Sequence, residues 1–217
     1  MFIGHFALGF AAKKIAPKTS LGSYFLAAQF LDLLWPIFLL LGIEHVRIAV
    51  GITALIPLEF YDYPISHGLL SVMCLSFVGG IVYFLARPDK KAAVIIGLLI
   101  LSHWFLDLIV HRPDLPVLWK GGPLFGFGLW NTPWAAILIE GLFLAVGLRI
   151  YLRTMQFTNR RGRLGFIGLV GLLVVIWIVS LVGPPPPSET AVAFGGLAQW
   201  LFVFWAYWLD RQTPIHA

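Results

Sequence analysis

Charge is scarce in this chain. Only 12% of its 217 residues are Asp, Glu, Lys or Arg, against 59% hydrophobic residues, and the mean hydropathy is +0.89. That balance excludes an ordinary water-soluble globule. Cysteine is scarcer still. A single Cys74 excludes a disulfide framework, and its place inside an apolar run says nothing about redox compartment. The opening residues MFIGHFALGF lack the basic n-region and small-residue cleavage site of a secretory leader, so they are not read as a cleaved signal peptide. The net charge of +5 hints at nucleic acid, but the distribution of the basic residues points elsewhere.

What is present is a series of runs that reach the roughly 20 apolar residues needed to cross a bilayer. Spans are expected near 20–42, 65–86, 92–111, 131–152, 163–183 and 191–209. Residues 2–16 form a further apolar segment, short for a span, that reads as re-entrant or thinly spanning. The expected architecture is all-α: a polytopic transmembrane helix bundle of six to seven spans with a short N-terminal helix. Short linkers such as RPDKK at 87–91, QFTNRRGR at 156–163 and the stiff PPPPSE at 184–189 separate the spans. The longer linkers 43–64 and 112–130, rich in aromatics, Gly and Pro, are expected to fold over the membrane surface. Residues 1–115 carry the polar groups of interest, and 116–217 read as scaffold helices of the same integrated membrane domain. The glycine pairs at 79–80 and 195–196 are expected to permit close helix packing. Trp35, Tyr61, Tyr63, Trp119, Trp130, Trp134, Tyr207 and Trp208 flank the spans in the manner of an interfacial belt.

Lysine and arginine alternate between loops. Lys13, Lys14, Lys18, Arg87, Lys90, Lys91, Arg149, Arg153, Arg160, Arg161, Arg163 and Arg211 fall on one side, and only Arg47, Arg112 and Lys120 on the other. The positive-inside rule makes the first set cytoplasmic. It explains the basic charge through membrane topology, with no nucleic-acid partner, and leaves anionic lipid headgroups as contacts. This orientation serves as a ruler. Asp32 lies slightly past the middle of its span towards the outer side. His67 opens the next span from outside, just after Glu59 and Asp62. His103 and Asp107 occupy the outer half of theirs, with His111 at the rim, and His5 is again near the outer face. Four segments thus place histidine or carboxylate in one layer, where ionisable groups are costly and mark function. His103 and Asp107 are one helical turn apart, about 5–6 Å between side chains. Such a pair can share a divalent cation if other helices complete the set, and mixed His/Asp ligands suit zinc, manganese or iron. His45 and His216 read as solvated, and Glu140 as either a support of the site or a buried partner for another helix.

These residues resemble a known family, the YdjM-like membrane-bound metal-dependent hydrolases of the bacterial inner membrane. The likeness is carried by His5 in GHFALGFAAKK, Asp32 in AAQFLDLLWP, His67 in ISHGLL, and the H-x-x-x-D pair His103 and Asp107 in LLILSHWFLDLIVHRPD. It covers roughly residues 1–115. The order His, Asp, His, H-x-x-x-D also resembles the metal ligands of zinc-dependent phospholipase C. The chain departs from the family pattern at two places. Phe30 precedes a sole Asp32 where the family has Pro-Asp with a second Asp, and DYPISHG replaces H-R-x-x-T-H-S.

The resemblance and the residues together give the leading expectation: a membrane-embedded hydrolase of lipid-like or phosphoester substrates at the outer, periplasmic side. His5, Asp32, His67, His103 and Asp107 would hold a divalent metal, zinc foremost. Asp62 or Glu59 would act as general base, and His111 would orient the leaving group or add a ligand. Two other classes stay open. One is a transporter or ion pathway using intramembrane Asp and His. The other is a structural membrane protein without chemistry, in which these side chains point to different neighbours.

Overall fold

The computed structural model describes residues 1–212; His216 lies outside them. The chain is mostly helical. α1 (Ile3–Ala12) leads to α2 (Leu21–Ala28) and α3 (Phe30–Leu40), then to α4 (Leu69–Ala86), α5 (Lys90–Val110), α6 (Pro133–Thr154), α7 (Arg160–Val182), α8 (Glu189–Leu197) and α9 (Trp200–Asp210). Among the described residues five helical segments are long and apolar enough to cross a membrane: α4, α5, α6, α7 and the stretch Glu189–Asp210 that joins α8 and α9. By length and composition the chain is an integral membrane protein. Its lateral faces carry bare Phe77, Leu85, Leu138 and Val182, more apolar surface than water tolerates.

Polar caps start several helices. Ser20, Asp89, Asn159 and Ser188 each accept a backbone N–H from the first turn of the helix that follows, and Pro133 starts α6 at a position that needs no N–H. The span expected at 20–42 is broken. α2 and α3 meet at Gln29 with a bend of 55°. The longer linkers form two small antiparallel hairpins, β1 (His45–Ile48) with β2 (Leu58–Asp62), and β3 (Leu115–Pro116) with β4 (Leu124–Phe125). The all-α expectation is corrected to that extent.

Burial orders the helices. Half of the apolar window of α5 is buried, against 11% for α4, so α5 is central and α4 peripheral. α1 is enclosed on every side: Ile3, Phe6, Ala7 and Phe10 have no exposed surface. At about 15 Å it is half a bilayer in length, and it lies within the bundle. α1 packs chiefly on α6, α2 on α9, and α3 on α8. The two halves of the chain therefore interleave. A Cβ on Gly147 would sit 2.4 Å from the Ala7 carbonyl oxygen, which explains glycine at that α1–α6 crossing. Gly80 plays the same part between α4 and α5, within reach of the Ala93 carbonyl.

The end of the bundle near the Lys/Arg-rich linkers is fastened by one ion pair. Lys13 is buried, and its ammonium donates to the carbonyls of Pro17 and Thr19 and to Asp210, at 3.1, 2.8 and 3.2 Å. Asp210 also accepts from the Ser20 hydroxyl and the backbone of Leu21. Burial pulls the Lys13 ammonium below its ordinary range, and Asp210 opposes that shift. Removing the partner therefore strands a buried cation. Asp210→Ala is expected to lower stability by on the order of 3 kcal/mol, seen as a fall in the thermal midpoint in detergent. The double change Lys13→Met with Asp210→Leu should recover most of the loss.

Candidate metal centre

The break between α2 and α3 builds the first wall. α2 ends at Ala28, so its last carbonyls lack intrahelical donors. One of them is used: His103 on α5 places Nδ1 2.8 Å from the Ala28 oxygen. A carbonyl only accepts, so Nδ1 carries the proton and Nε2 presents its lone pair. The restarted helix α3 then holds Asp32 in its first turn, where the helix dipole favours a carboxylate.

His67 is held in the same way from the turn before α4. Glu44 accepts the backbone N–H groups of Ile65 and Ser66 at 2.7 and 2.8 Å and the Ser66 hydroxyl at 2.6 Å. The Ser66 oxygen, having spent its proton on Glu44, accepts from His67 Nδ1 at 2.7 Å. His67 Nε2 is thereby also left with a lone pair. Both rings aim at the same two carboxylates. His103 Nε2 lies 3.2 Å from Asp107 Oδ2 and 3.6 Å from Asp32 Oδ1. His67 Nε2 lies 3.8 and 3.5 Å from those same atoms.

Four acceptors facing one another repel unless a cation lies among them. His103 Nε2 is a buried atom without a hydrogen-bond partner among the described residues. Metal bonds of 2.0–2.2 Å give ligand-to-ligand edges of about 3.3–3.6 Å, and the four N···O separations fall near that range, while Asp32 and Asp107 belong to separate ligand groups that share His103. A divalent ion would offset the Asp32 and Asp107 charges together with the Met1 ammonium, which already faces Asp107 Oδ1. The donor set fits a metal: Asp32, His67 and His103 form one group able to hold an ion, and His5, His103 and Asp107 a second that shares His103.

His5, on α1, stacks on His103 with ring centroids 3.6 Å apart. Its Nε2 is 3.1 Å from Asp107 Oδ1, and the Met1 α-amino group is 2.5 Å from that oxygen. Asp107 is thus divided. Oδ1 ties down α1, and Oδ2 faces the imidazole pair. Glu140 accepts the N–H groups of Phe2 and Ile3 at 3.1 and 3.2 Å, so it is the buried partner of another helix and also borders the site.

The five residues expected as ligands are brought together. The two expected bases are not. Glu59 pairs with Arg47 and Arg112 at 3.2 and 3.6 Å. Asp62 pairs with His45 at 2.9 Å on the exposed face of the first hairpin. Each is matched across the strands, Arg47 to Glu59 and His45 to Asp62, which turns both carboxylates away from the cluster. His111 is at the site. It lines the same cavity of about 340 Å³ as Asp32, His67 and Asp107. Its Nδ1 is 2.9 Å from Asp114 Oδ1, and Asp114 is held in turn by the Tyr63 hydroxyl at 3.2 Å and Arg112 Nε at 3.2 Å. Burial, together with the Asp114 carboxylate, pushes the Tyr63 hydroxyl well above its ordinary range, so it stays a donor.

The belt expectation is corrected for three aromatics. Trp35, Tyr63 and Trp130 are buried, and Trp130 packs on His111 with centroids 4.3 Å apart. Exposed Trp119, Trp134 and Tyr61 keep the belt position. Glu44, Ser66 and Asp114 escaped the sequence reading; Ser66, directly before His67 at the start of a span, is the one signal that pointed to them.

No family model, curated protein or solved structure matches the chain.

If Ser66 and Glu44 orient a ligand, their loss weakens metal binding without abolishing it. Zinc affinity of Ser66→Ala and Glu44→Gln, measured against a competing chelator, is expected to fall about 10–100-fold. Asp62→Asn should bind as the wild type.

Proposed function

We propose that this protein is a membrane-embedded, metal-dependent hydrolase of phosphoester or lipid-like substrates. The observation that carries the reading is the pair of pre-oriented imidazoles, His67 and His103, converging on Asp32 and Asp107. His5 completes the neighbourhood through Asp107. The donor set favours zinc, with manganese or iron next. The order of these residues, similar to that of the YdjM-like hydrolases and of zinc-dependent phospholipase C, supports the same chemistry.

A divalent ion bound there supplies Lewis acidity, acidifying water and polarising an ester oxygen. The chain's own residues do the rest. His111, whose Nδ1 is engaged by Asp114, turns Nε2 into a position to move a proton to or from the leaving oxygen. Trp130 and Phe60 shield that imidazole from bulk water. Asp32, the more open of the two carboxylates, faces the cavity where substrate would lie. The alternation of basic loops supports an outward-facing site, and the likeness to the YdjM-like hydrolases supports a bacterial inner membrane as its setting.

One observation favours an ion pathway instead. Gln29, fully buried at the break in the α2–α3 span, has neither side-chain atom hydrogen-bonded among the described residues, and broken helices are a feature of transporters.

Elemental mass spectrometry on detergent-purified protein decides the matter. Near-stoichiometric zinc, manganese or iron is expected in the wild type and is lost in His103→Ala and Asp107→Ala. With a chromogenic phosphodiester, His111→Ala should keep its metal and lose about 100-fold or more in rate, with Asp114→Asn intermediate. Protein that stays metal-free after reconstitution refutes the hydrolase reading, and cation flux in proteoliposomes would then support the pathway.

A further inference from the structure

The cavity that meets the His/Asp cluster has a second arm of different chemistry. Its far wall comes from the C-terminal half of the chain: Ile176, Trp177 and Leu181 of α7, Val192 and Gly195 of α8, and Gln199 just beyond. None of these is charged. α7 packs on α9 and α1, whereas α8 leans on α3 and β1, and the proline run at 184–187 joins their ends as an extended strut. The arm lies between these helices. Beside it α7 presents exposed Ile178, Val179 and Val182, a face that only hydrocarbon would cover.

Two further observations show that the arm is shaped for something. Gly195 and Gly196 were both expected to serve close packing. Only Gly196 does so, with its hydrogen aimed at Pro36, where a Cβ would come within 2.4 Å of Cγ. A Cβ on Gly195 would meet no atom within 4 Å; it opens onto space. Two residues of its wall, Trp177 and Gln199, also carry buried polar atoms, Nε1 and Oε1, without partners among the described residues. Such atoms are costly in an apolar setting unless a ligand group reaches them.

We propose that this arm is an acyl-chain subsite, and that the cavity takes a membrane lipid laterally from the bilayer between α7 and α8. The chain lies over Gly195 against Leu181 and Val192. The ester region reaches Trp177 Nε1–H, and the headgroup linkage arrives at Asp32, His67 and His111. This deepens the hydrolase reading by naming its substrate class, a phosphoester of a long-chain lipid, and rests on that reading only for the chemistry at the polar end.

The test uses the full-length protein in detergent and a phosphatidylglycerol with a photoreactive diazirine on a palmitoyl chain, the cross-links being mapped by peptide mass spectrometry. Wild type is expected to be labelled within 176–181 and 192–199. Gly195→Leu fills open space without a clash, so its metal content should match wild type while labelling falls about tenfold. Leu181→Trp fills the same arm from α7 and should do likewise, which keeps the test decisive if one variant folds poorly. Labelling confined to other helices, or equal labelling in both filled variants, overturns the subsite. His103→Ala separates the two claims: metal lost with labelling kept upholds the subsite whatever becomes of the hydrolase reading, and metal retained in a wild type that is not labelled refutes the subsite alone.

Discussion

Two carboxylates, Asp32 and Asp107, stand at the centre of the polar cluster in an otherwise largely apolar bundle, and the surrounding architecture compensates for them. A charge removed from water needs a partner or an ion. The chain meets that need by breaking a helix at Gln29, which releases the Ala28 carbonyl to fix one imidazole, and by folding the turn before α4 around Glu44, which fixes another. The remaining oxygen of Asp107 holds the short first helix in place. Without these carboxylates, neither the broken span nor the enclosure of α1 has an evident purpose.

The five converging residues were legible in the sequence because they break a rule: ionisable side chains in apolar runs stand out, and charge asymmetry between loops gave them a common depth. The groups that orient them obey the ordinary rules and were hidden. Glu44 and Asp114 sit in polar linkers, where a carboxylate attracts no notice, and the Ala28 carbonyl has no side-chain signature at all. Glu59 and Asp62 misled for the converse reason. They are close to His67 along the chain, but a strand alternates its faces. Alternation sets Glu59 opposite Phe60, which points to the site, whereas Asp62 lies beyond a register shift in the hairpin and is taken up by His45.

Aromatic and glycine residues gave a similar ambiguity. A tryptophan near the end of a span has the same sequence context whether it stands exposed, as Trp134 does, or closes over a histidine, as Trp130 does. Adjacent glycines can differ as sharply. One faces Pro36 and the other faces open space. These distinctions arise from tertiary packing, and no local pattern encodes them.

The enclosure of α1 bears on how the molecule is made. Ten residues are too few to partition into a bilayer as an independent span, and the principal neighbour of this helix, α6, begins at Pro133. Glu140 satisfies its first turn and Gly147 admits its backbone, and neither exists until more than half of the chain has been synthesised. Full enclosure of α1 therefore depends on helices from the second half of the chain.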